Sequence, residues 1–139
     1  MSTRPLVSVI IPAYGRTEML RKTVVSALAQ DLDPEQFEVI VVDSSPDDRN
    51  ANMVAELQPG ARCALRCLRK QPEGPGPSRN LGAKEARGDY FAFLDSDCEA
   101  SQQWLRNGVG GFEEGVGIVQ GKTIPEQNVP HSVFHRSLE

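Results

Sequence analysis

The sequence predicts a doubly wound α/β domain, a mostly parallel sheet with helices on both faces. Apolar, β-rich runs alternate along the chain with segments whose apolar residues repeat at helical spacing. This strand, helix, strand order builds a parallel sheet through right-handed crossovers. With 139 residues the chain has the size of one compact domain, so we predict a single domain over residues 1–139.

Five segments have the composition of strands: residues 5–14, 37–44, 62–70, 89–97 and 116–122. Helices are predicted between them. The first, RTEMLRKTVVSALAQ, repeats apolar residues at helical spacing behind Thr17, the expected N-cap. The second lies in DDRNANMVAELQPG and stops at Pro-Gly. A third follows EGPGP, with Pro77 suited to its first turn, and a fourth follows Ser101.

Composition excludes several partners. With 15 Lys and Arg against 19 Asp and Glu, the net charge is −4, and no basic cluster is dense enough to follow a nucleic acid backbone. No apolar run approaches the ~20 residues that span a bilayer, so we expect a cytoplasmic chain, with membrane association if the full-length protein is longer.

Cys63 and Cys67 lie in a predicted strand, which separates their sulfurs by ~13 Å, too far to share a zinc ion.

Polar and aromatic side chains stand where three predicted strands end. Tyr14 follows the first strand, Asp43 the second, and Asp95 and Asp97 the fourth. Ligands of open α/β sheets bind at this edge. In an extended segment residues i and i+2 point the same way, so the two carboxylates that flank Ser96 can converge on Mg²⁺ or Mn²⁺. The alternative is a solvated turn before the next helix.

Three residues have side chains suited to binding a nucleotide. Asp43 can accept a hydrogen bond from a ring N–H of a base such as uracil, and Tyr14 can stack on that base. Arg79, expected in the first turn of the third helix, can meet phosphates together with the helix amides. Asp43 also suits an N-cap or Asx-turn, and Tyr14 also suits plain packing.

Four segments taken in order resemble the nucleotide-sugar-binding half of family 2 glycosyltransferases, which have the GT-A fold: VSVIIPAYGR, FEVIVVDSSPDD, GPSRNLGAKEARGDY and FAFLDSDC. The resemblance covers roughly residues 5–122. It implies an inverting, metal-dependent transferase that takes a nucleoside-diphosphate sugar, with a UDP-sugar favoured, and passes the sugar to an acceptor. Gly15 stands where the family usually has Asn, and Ser44 and Ser45 follow Asp43 where an acidic or amide residue is common.

The resemblance also implies roles for particular residues. The base pocket would be lined by Pro12, Ala13, Tyr14 and Asp43. Arg79 would lie on the phosphate side, and the D-x-D motif would consist of Asp95, Ser96 and Asp97. Asp97 would be the direct ligand of Mn²⁺ or Mg²⁺, with Asp95 nearer the ribose and diphosphate. The family takes its catalytic base from beyond this motif, and none can be named here. We expect the acceptor-binding part to lie further downstream or to come from a second copy in a homodimer.

Three other classes stay open on the sequence alone. A non-catalytic nucleotide-binding or interaction module would keep the pocket without the acceptor half. A sugar-phosphate nucleotidyltransferase would need a Gly-rich loop after the first strand, but PAYGRTEM has one glycine. A receiver domain would need a lone phosphorylatable Asp and a late-strand Lys in a different order. Product formation with an acceptor separates the transferase from the module.

Overall fold

A computed structural model describes residues 4–121. Strands and helices alternate throughout this part of the chain: β1 Val7–Ala13, α1 Thr17–Leu28, β2 Phe37–Asp43, α2 Arg49–Leu57, β3 Ala64–Arg69, α3 Pro75–Glu85, β4 Tyr90–Phe93 and α4 Trp104–Gly110. The strands form one sheet in the order β3-β2-β1-β4, and all pairs are parallel. The predicted doubly wound class is therefore confirmed. No helix within the described range has the length and hydropathy needed to span a membrane.

The two faces of the sheet are covered by different helices. On one face Val9, Ile11 and Val39 belong to a buried cluster that includes side chains of α1 and α2. On the other face Ile10 and Ile40 pack with apolar side chains of α3. Every residue of β1 and β2 is buried, which explains why both strands are apolar apart from Ser8, Glu38 and Asp43.

Several element boundaries differ from the sequence expectations. The fourth strand, expected over residues 89–97, ends at Phe93, so Asp95 and Asp97 lie in a turn and not in an extended segment. Thr17 does not cap α1, because the cap is Arg16 in a left-handed conformation and the Thr17 hydroxyl donates to Asn50 Oδ1 instead. Helix α3 starts at Pro75, with Pro77 in its first turn as expected. The strand expected at 116–122 is not formed over residues 116–121, where Ile118 is 87% exposed, and Lys122 lies outside the described residues. Alternating apolar residues form a strand only when a sheet edge pairs with them.

A buried polar cluster fastens the amino end of the sheet. Glu38 on β2 accepts hydrogen bonds from Ser8 Oγ and the Arg87 amide, both at 2.7 Å, through Oε2. Its Oε1 lies 3.3 Å from Arg66 Nη2, and the Gly88 amide donates to Ser8 Oγ. Both carboxylate oxygens are thus paired, as a buried acid requires. The cluster ties the loop between α3 and β4 to the two central strands.

The cysteines behave as small apolar side chains in the described region. Cys63 and Cys67 are free, and both pack against the main core cluster. Burial raises the pKa of each thiol to about 11, so both stay protonated at neutral pH.

We predict that Gly82→Ala destabilises the fold, because α3 lies directly on the sheet at this residue. A Cβ at Gly82 would stand 2.4 Å from Ile10 Cγ2, so the expected loss is about 1–3 kcal/mol of unfolding free energy. Gly108 of α4 is followed by Val109 and has nothing within 4 Å of its Cβ position outside the adjoining chain, so it is the matched control. Gly108→Ala should be neutral or stabilise by up to about 1 kcal/mol. Urea unfolding of both variants checks this, and equal midpoints would contradict the close approach of α3.

Candidate functional site

The carboxyl ends of three strands meet around the end of β1. Ala13, the last residue of β1, is paired with Asp43, the last residue of β2. On the other side Ile10 is paired with Phe93, and the Leu94 amide donates to the Ile10 carbonyl. Asp43 and the segment that begins at Asp95 therefore flank β1 at the same edge, roughly 10 Å apart across two strand spacings. Strand order was not evident from the sequence. The expectation that Asp43 and the Asp95/Asp97 pair occupy adjacent strand ends is wrong, because β1 lies between β2 and β4.

The residues after β4 form a turn that gathers potential metal ligands. The Cys98 amide donates to the Asp95 carbonyl at 3.0 Å, which closes the turn. One ligand atom from each of Asp95, Asp97 and Cys98 lies within 4.8 Å of the others. Both carboxylates are exposed, so a cation with its own water ligands could reach them. Buried Thr23 of α1 donates to the Ser96 carbonyl at 2.9 Å and fastens this turn to the helix.

The oxygen ligands in this turn suit a hard cation better than its sulfur does. Burial raises the pKa of the Cys98 thiol to about 11, and the charges of Asp97 and Asp95 act in the same direction. At neutral pH the thiol is therefore protonated, with Sγ 3.6 Å from Asp97 Oδ1. Two carboxylates are the donor set that Mg²⁺ and Mn²⁺ prefer, so the residues present fit the expected metal.

Arg79 brings a positive charge to this turn. Its Nη2 lies 2.9 Å from Asp95 Oδ1. Arg79 is the fifth residue of α3 and so begins the second turn, not the first turn as expected. The first and third residues of the helix, Pro75 and Pro77, have no N–H. Little of the usual anion-binding capacity of a helix start remains there, so the cationic side chain matters more than the sequence suggested.

Asp43 lies in a buried hydrogen-bond network rather than on the open surface. Its Oδ1 accepts from Ser45 N at 3.1 Å, Ser45 Oγ at 2.7 Å and Asn50 Nδ2 at 3.1 Å. The bond from Ser45 N is the Asx-turn that the sequence had offered as an alternative role. Asp43 Oδ2 has no hydrogen-bond partner, although Arg69 Nε lies 3.4 Å away. Because Asp43 has no exposed surface, a ligand can reach it only if a neighbour such as Arg69 moves.

The other residues assigned to the base pocket are close to Asp43. Pro12 and Ala13 are buried at the end of β1, and the Ala13 carbonyl accepts a hydrogen bond from Ser44 N. Tyr14 follows directly and is 60% exposed, so its ring is free to stack on a ligand. The loop continues through Gly15, whose amide donates to Ser45 Oγ at 2.7 Å.

Sequence reasoning missed Thr23, Ser45, Asn50 and Arg69, which hold these loops in place. Thr23 and Asn50 had a weak signal, because each is a polar residue at an apolar position of an amphipathic helix. Ser45 and Arg69 had none. Arg69 donates to Asp48 Oδ1 and to the Asp47 carbonyl, so it fixes the loop between β2 and α2 from a neighbouring strand.

A family model described as "Glycosyl transferase family 2" matches residues 8–138. The chain belongs to glycosyl transferase family 2. Glycosyltransferase AglE of Haloferax volcanii is 33% identical over 121 residues, which are 86% of this chain and 40% of AglE. The staphylococcal poly(ribitol-phosphate) beta-N-acetylglucosaminyltransferase TarS is 28% identical over 130 residues, which are 91% of this chain and 23% of TarS. The chain thus spans less than half the length of these relatives.

Solved family 2 structures have the same fold. The Staphylococcus aureus TarS fragment 1–349 in complex with UDP-GlcNAc superposes with a TM-score of 0.68 at 29% identity, over 76% of this chain and 30% of that one. The mannosyltransferase PcManGT of Pyrobaculum calidifontis, in complex with GDP-Man and Mn²⁺, gives a TM-score of 0.68 at 27% identity, over 78% and 32%. The GT-A fold that the sequence resemblance implied is confirmed.

We predict that Leu94→Asp is far more destabilising than Asp95→Asn. Leu94 is buried and Asp95 is 61% exposed in its side chain, so the polypeptide surfaces between these two residues. An unpaired charge at Leu94 should cost about 3 kcal/mol or more, while loss of the exposed pair with Arg79 should cost about 1 kcal/mol or less. Urea midpoints measured without metal decide it. Similar urea midpoints for the two variants would mean that the chain does not pass from the core to the surface between Leu94 and Asp95.

Proposed function

We propose that this chain binds a nucleoside-diphosphate sugar at the carboxyl ends of β1, β2 and β4, as the donor site of an inverting, metal-dependent glycosyltransferase. The observation that carries the proposal is the turn after β4. There Asp95 and Asp97 present exposed carboxylates beside the guanidinium of Arg79, at the ligand-binding edge of a family 2 fold. This pair of groups suits a metal-bound diphosphate, because the carboxylates can bind the cation and the guanidinium can bind the phosphate oxygens.

The two ends of the site suit the two ends of a nucleotide. Asp43 and Tyr14 lie where β2 and β1 end, and they would receive the base through a hydrogen bond and a stacked ring. Across β1, Arg79 would bind phosphate oxygens. The separation of roughly 10 Å between Asp43 and the turn after β4 leaves room for the ribose between the base and the diphosphate.

Asp97 and Asp95 would hold Mn²⁺ or Mg²⁺ in this site. The bound cation would neutralise the charge that grows on the diphosphate as the anomeric C–O bond breaks. Asp97 is free of the ion pair with Arg79, so we assign it the direct metal contact. Asp95 already shares its Oδ1 with Arg79, which suits a position between the cation and the phosphate-binding guanidinium.

The complexes of similar proteins support a nucleotide-sugar donor, and their nucleotides carry either uracil or guanine. TarS is described in complex with UDP-GlcNAc and with UDP, and PcManGT with GDP-Man and Mn²⁺. For this chain we propose a UDP-sugar, because both TarS complexes hold a uridine nucleotide. Once Arg69 has moved, a ring N–H of uracil, like that of guanine, could donate to the Asp43 oxygen that accepts no hydrogen bond.

We predict that the chain binds UDP in the presence of Mn²⁺ and that chelation weakens the binding. Asp97→Asn should lower the affinity for UDP with Mn²⁺ by at least about tenfold, or about 1.4 kcal/mol, because one anionic ligand is lost. Isothermal titration calorimetry with UDP and with GDP, each with Mn²⁺ or a chelator, measures these values.

Asp89→Asn is the matched control for this experiment. Its side chain is 61% exposed and paired with Arg4, much as Asp95 is paired with Arg79, but it lies just before β4, at the amino end of the sheet. This variant should bind like the wild type. Binding that survives both chelation and Asp97→Asn would contradict the metal site, while a preference for GDP would contradict only the assignment of uracil.

A further inference from the structure

Asn50 is a fully buried amide on α2 that holds three segments of the site together. Its Nδ2 lies 3.1 Å from the Gly15 carbonyl, 3.1 Å from Asp43 Oδ1 and 3.2 Å from Ser45 Oγ. Its Oδ1 accepts from Thr17 Oγ1 at 2.8 Å. The side chain therefore links the loop after β1, the end of β2 and the loop before α2.

The neighbouring donors and acceptors determine the orientation of the Asn50 amide group. The Gly15 carbonyl can only accept hydrogen bonds, and Asp43 Oδ1 already accepts one from Ser45 N, so the NH₂ group must face them. The oxygen then faces the Thr17 hydroxyl, which can donate. Because the donors and the acceptor of this buried amide are all satisfied, the side chain has one stable orientation. Its hydrogen bonds also fix the positions of the groups that it contacts.

The effect on Asp43 is to make its two oxygens unequal. Oδ1 accepts from three donors, two from Ser45 and one from Asn50, whereas Oδ2 accepts no hydrogen bond and has only the ion pair with Arg69 Nε, 3.4 Å away. A buried acceptor without a hydrogen bond costs about 1–3 kcal/mol. A ligand N–H that reaches Oδ2 removes this cost, and the carboxylate does not rotate away because Oδ1 is held.

The same amide stabilises the strained loop that carries Tyr14. Gly15 and Arg16 both have left-handed backbone conformations, with φ of 62° and 49°. Such a conformation costs roughly 1 kcal/mol or more for a non-glycine residue, so it persists only where contacts hold it. The contacts to Gly15 are made by Asn50 Nδ2 at its carbonyl and by Ser45 Oγ at its amide.

We infer that Asn50 is the positioning residue of the base pocket. It holds Oδ1 so that Oδ2 is the Asp43 oxygen left for a ligand once Arg69 has moved, and it holds Gly15, which directly follows the stacking residue Tyr14. The inference rests on the proposed nucleotide-binding function, and it concerns the base rather than the metal-bound diphosphate. Loss of the amide should therefore weaken the recognition of the base and spare the recognition of the diphosphate.

Asn50→Asp tests this directly, since it keeps the shape of the side chain and replaces the donor with an acceptor. Calorimetry would use UDP, GDP and inorganic pyrophosphate, each with Mn²⁺. We expect the variant to bind the nucleotide preferred by the wild type about tenfold more weakly, and pyrophosphate within about twofold of the wild type. Thr17→Val, which removes only the hydroxyl that orients the amide, should give a loss in the same direction of about threefold.

Gln30→Met is the matched control for a purely structural effect. Gln30 is also a buried amide, and it donates to the Ser26 and Ser101 carbonyls at the far end of α1. This variant should lower the melting temperature yet leave the ratio of nucleotide to pyrophosphate affinity unchanged.

Each outcome separates the hypotheses. If Asn50→Asp weakens nucleotide and pyrophosphate equally, or weakens neither, Asn50 has only a structural role and the inference is overturned while the proposed function stands. If circular dichroism shows that Asn50→Asp does not fold, the ratio measured for Thr17→Val decides by the same criterion. A wild-type chain that binds neither nucleotide would overturn the proposed function and this inference with it.

Discussion

The central place of β1 is the constraint on which the rest of the structure depends. All seven residues of this strand are buried, and it is paired in parallel with β2 on one side and β4 on the other. Backbone pairing therefore sets where Asp43 and Asp95 emerge relative to each other. A register shift of one residue would turn every side chain to the opposite face of the sheet, so burial on both faces locks the positions of the strand ends.

Two buried carboxylates at opposite ends of β2 show how similar groups take different roles. Both oxygens of Glu38 are paired, and its cluster fastens the loop that leads into β4. Asp43 has one saturated oxygen and one without a hydrogen bond. A fully satisfied buried acid stabilises the fold, whereas a half-satisfied one keeps a cost that a ligand can remove. We propose Asp43 and not Glu38 for recognition because Asp43 has this oxygen without a hydrogen bond and lies at the carboxyl end of β2, although Arg69 Nε is 3.4 Å away.

The proposed phosphate side of the site would depend on side-chain charges. Prolines at two of the first three residues of α3 remove backbone donors, so the helix start contributes little to anion binding. Arg79 supplies the positive charge instead, and its ion pair with Asp95 holds it beside the carboxylates. Exposed pairs of this kind contribute little to stability, so the pair is free to rearrange when a diphosphate and a cation enter.

The sequence by itself determined the fold class, the strand ends that carry polar residues and the D-x-D pair, because these depend on local periodicity and on residues close together in the chain. Only the tertiary structure decided that β1 separates β2 from β4, that the run after Val116 does not extend the described sheet, and that Asn50 holds Asp43 and Gly15. Asn50 and Gly15 are 35 residues apart in the chain. Their contact depends on how α2 packs beside the strand ends, and no local pattern of residues encodes that distance.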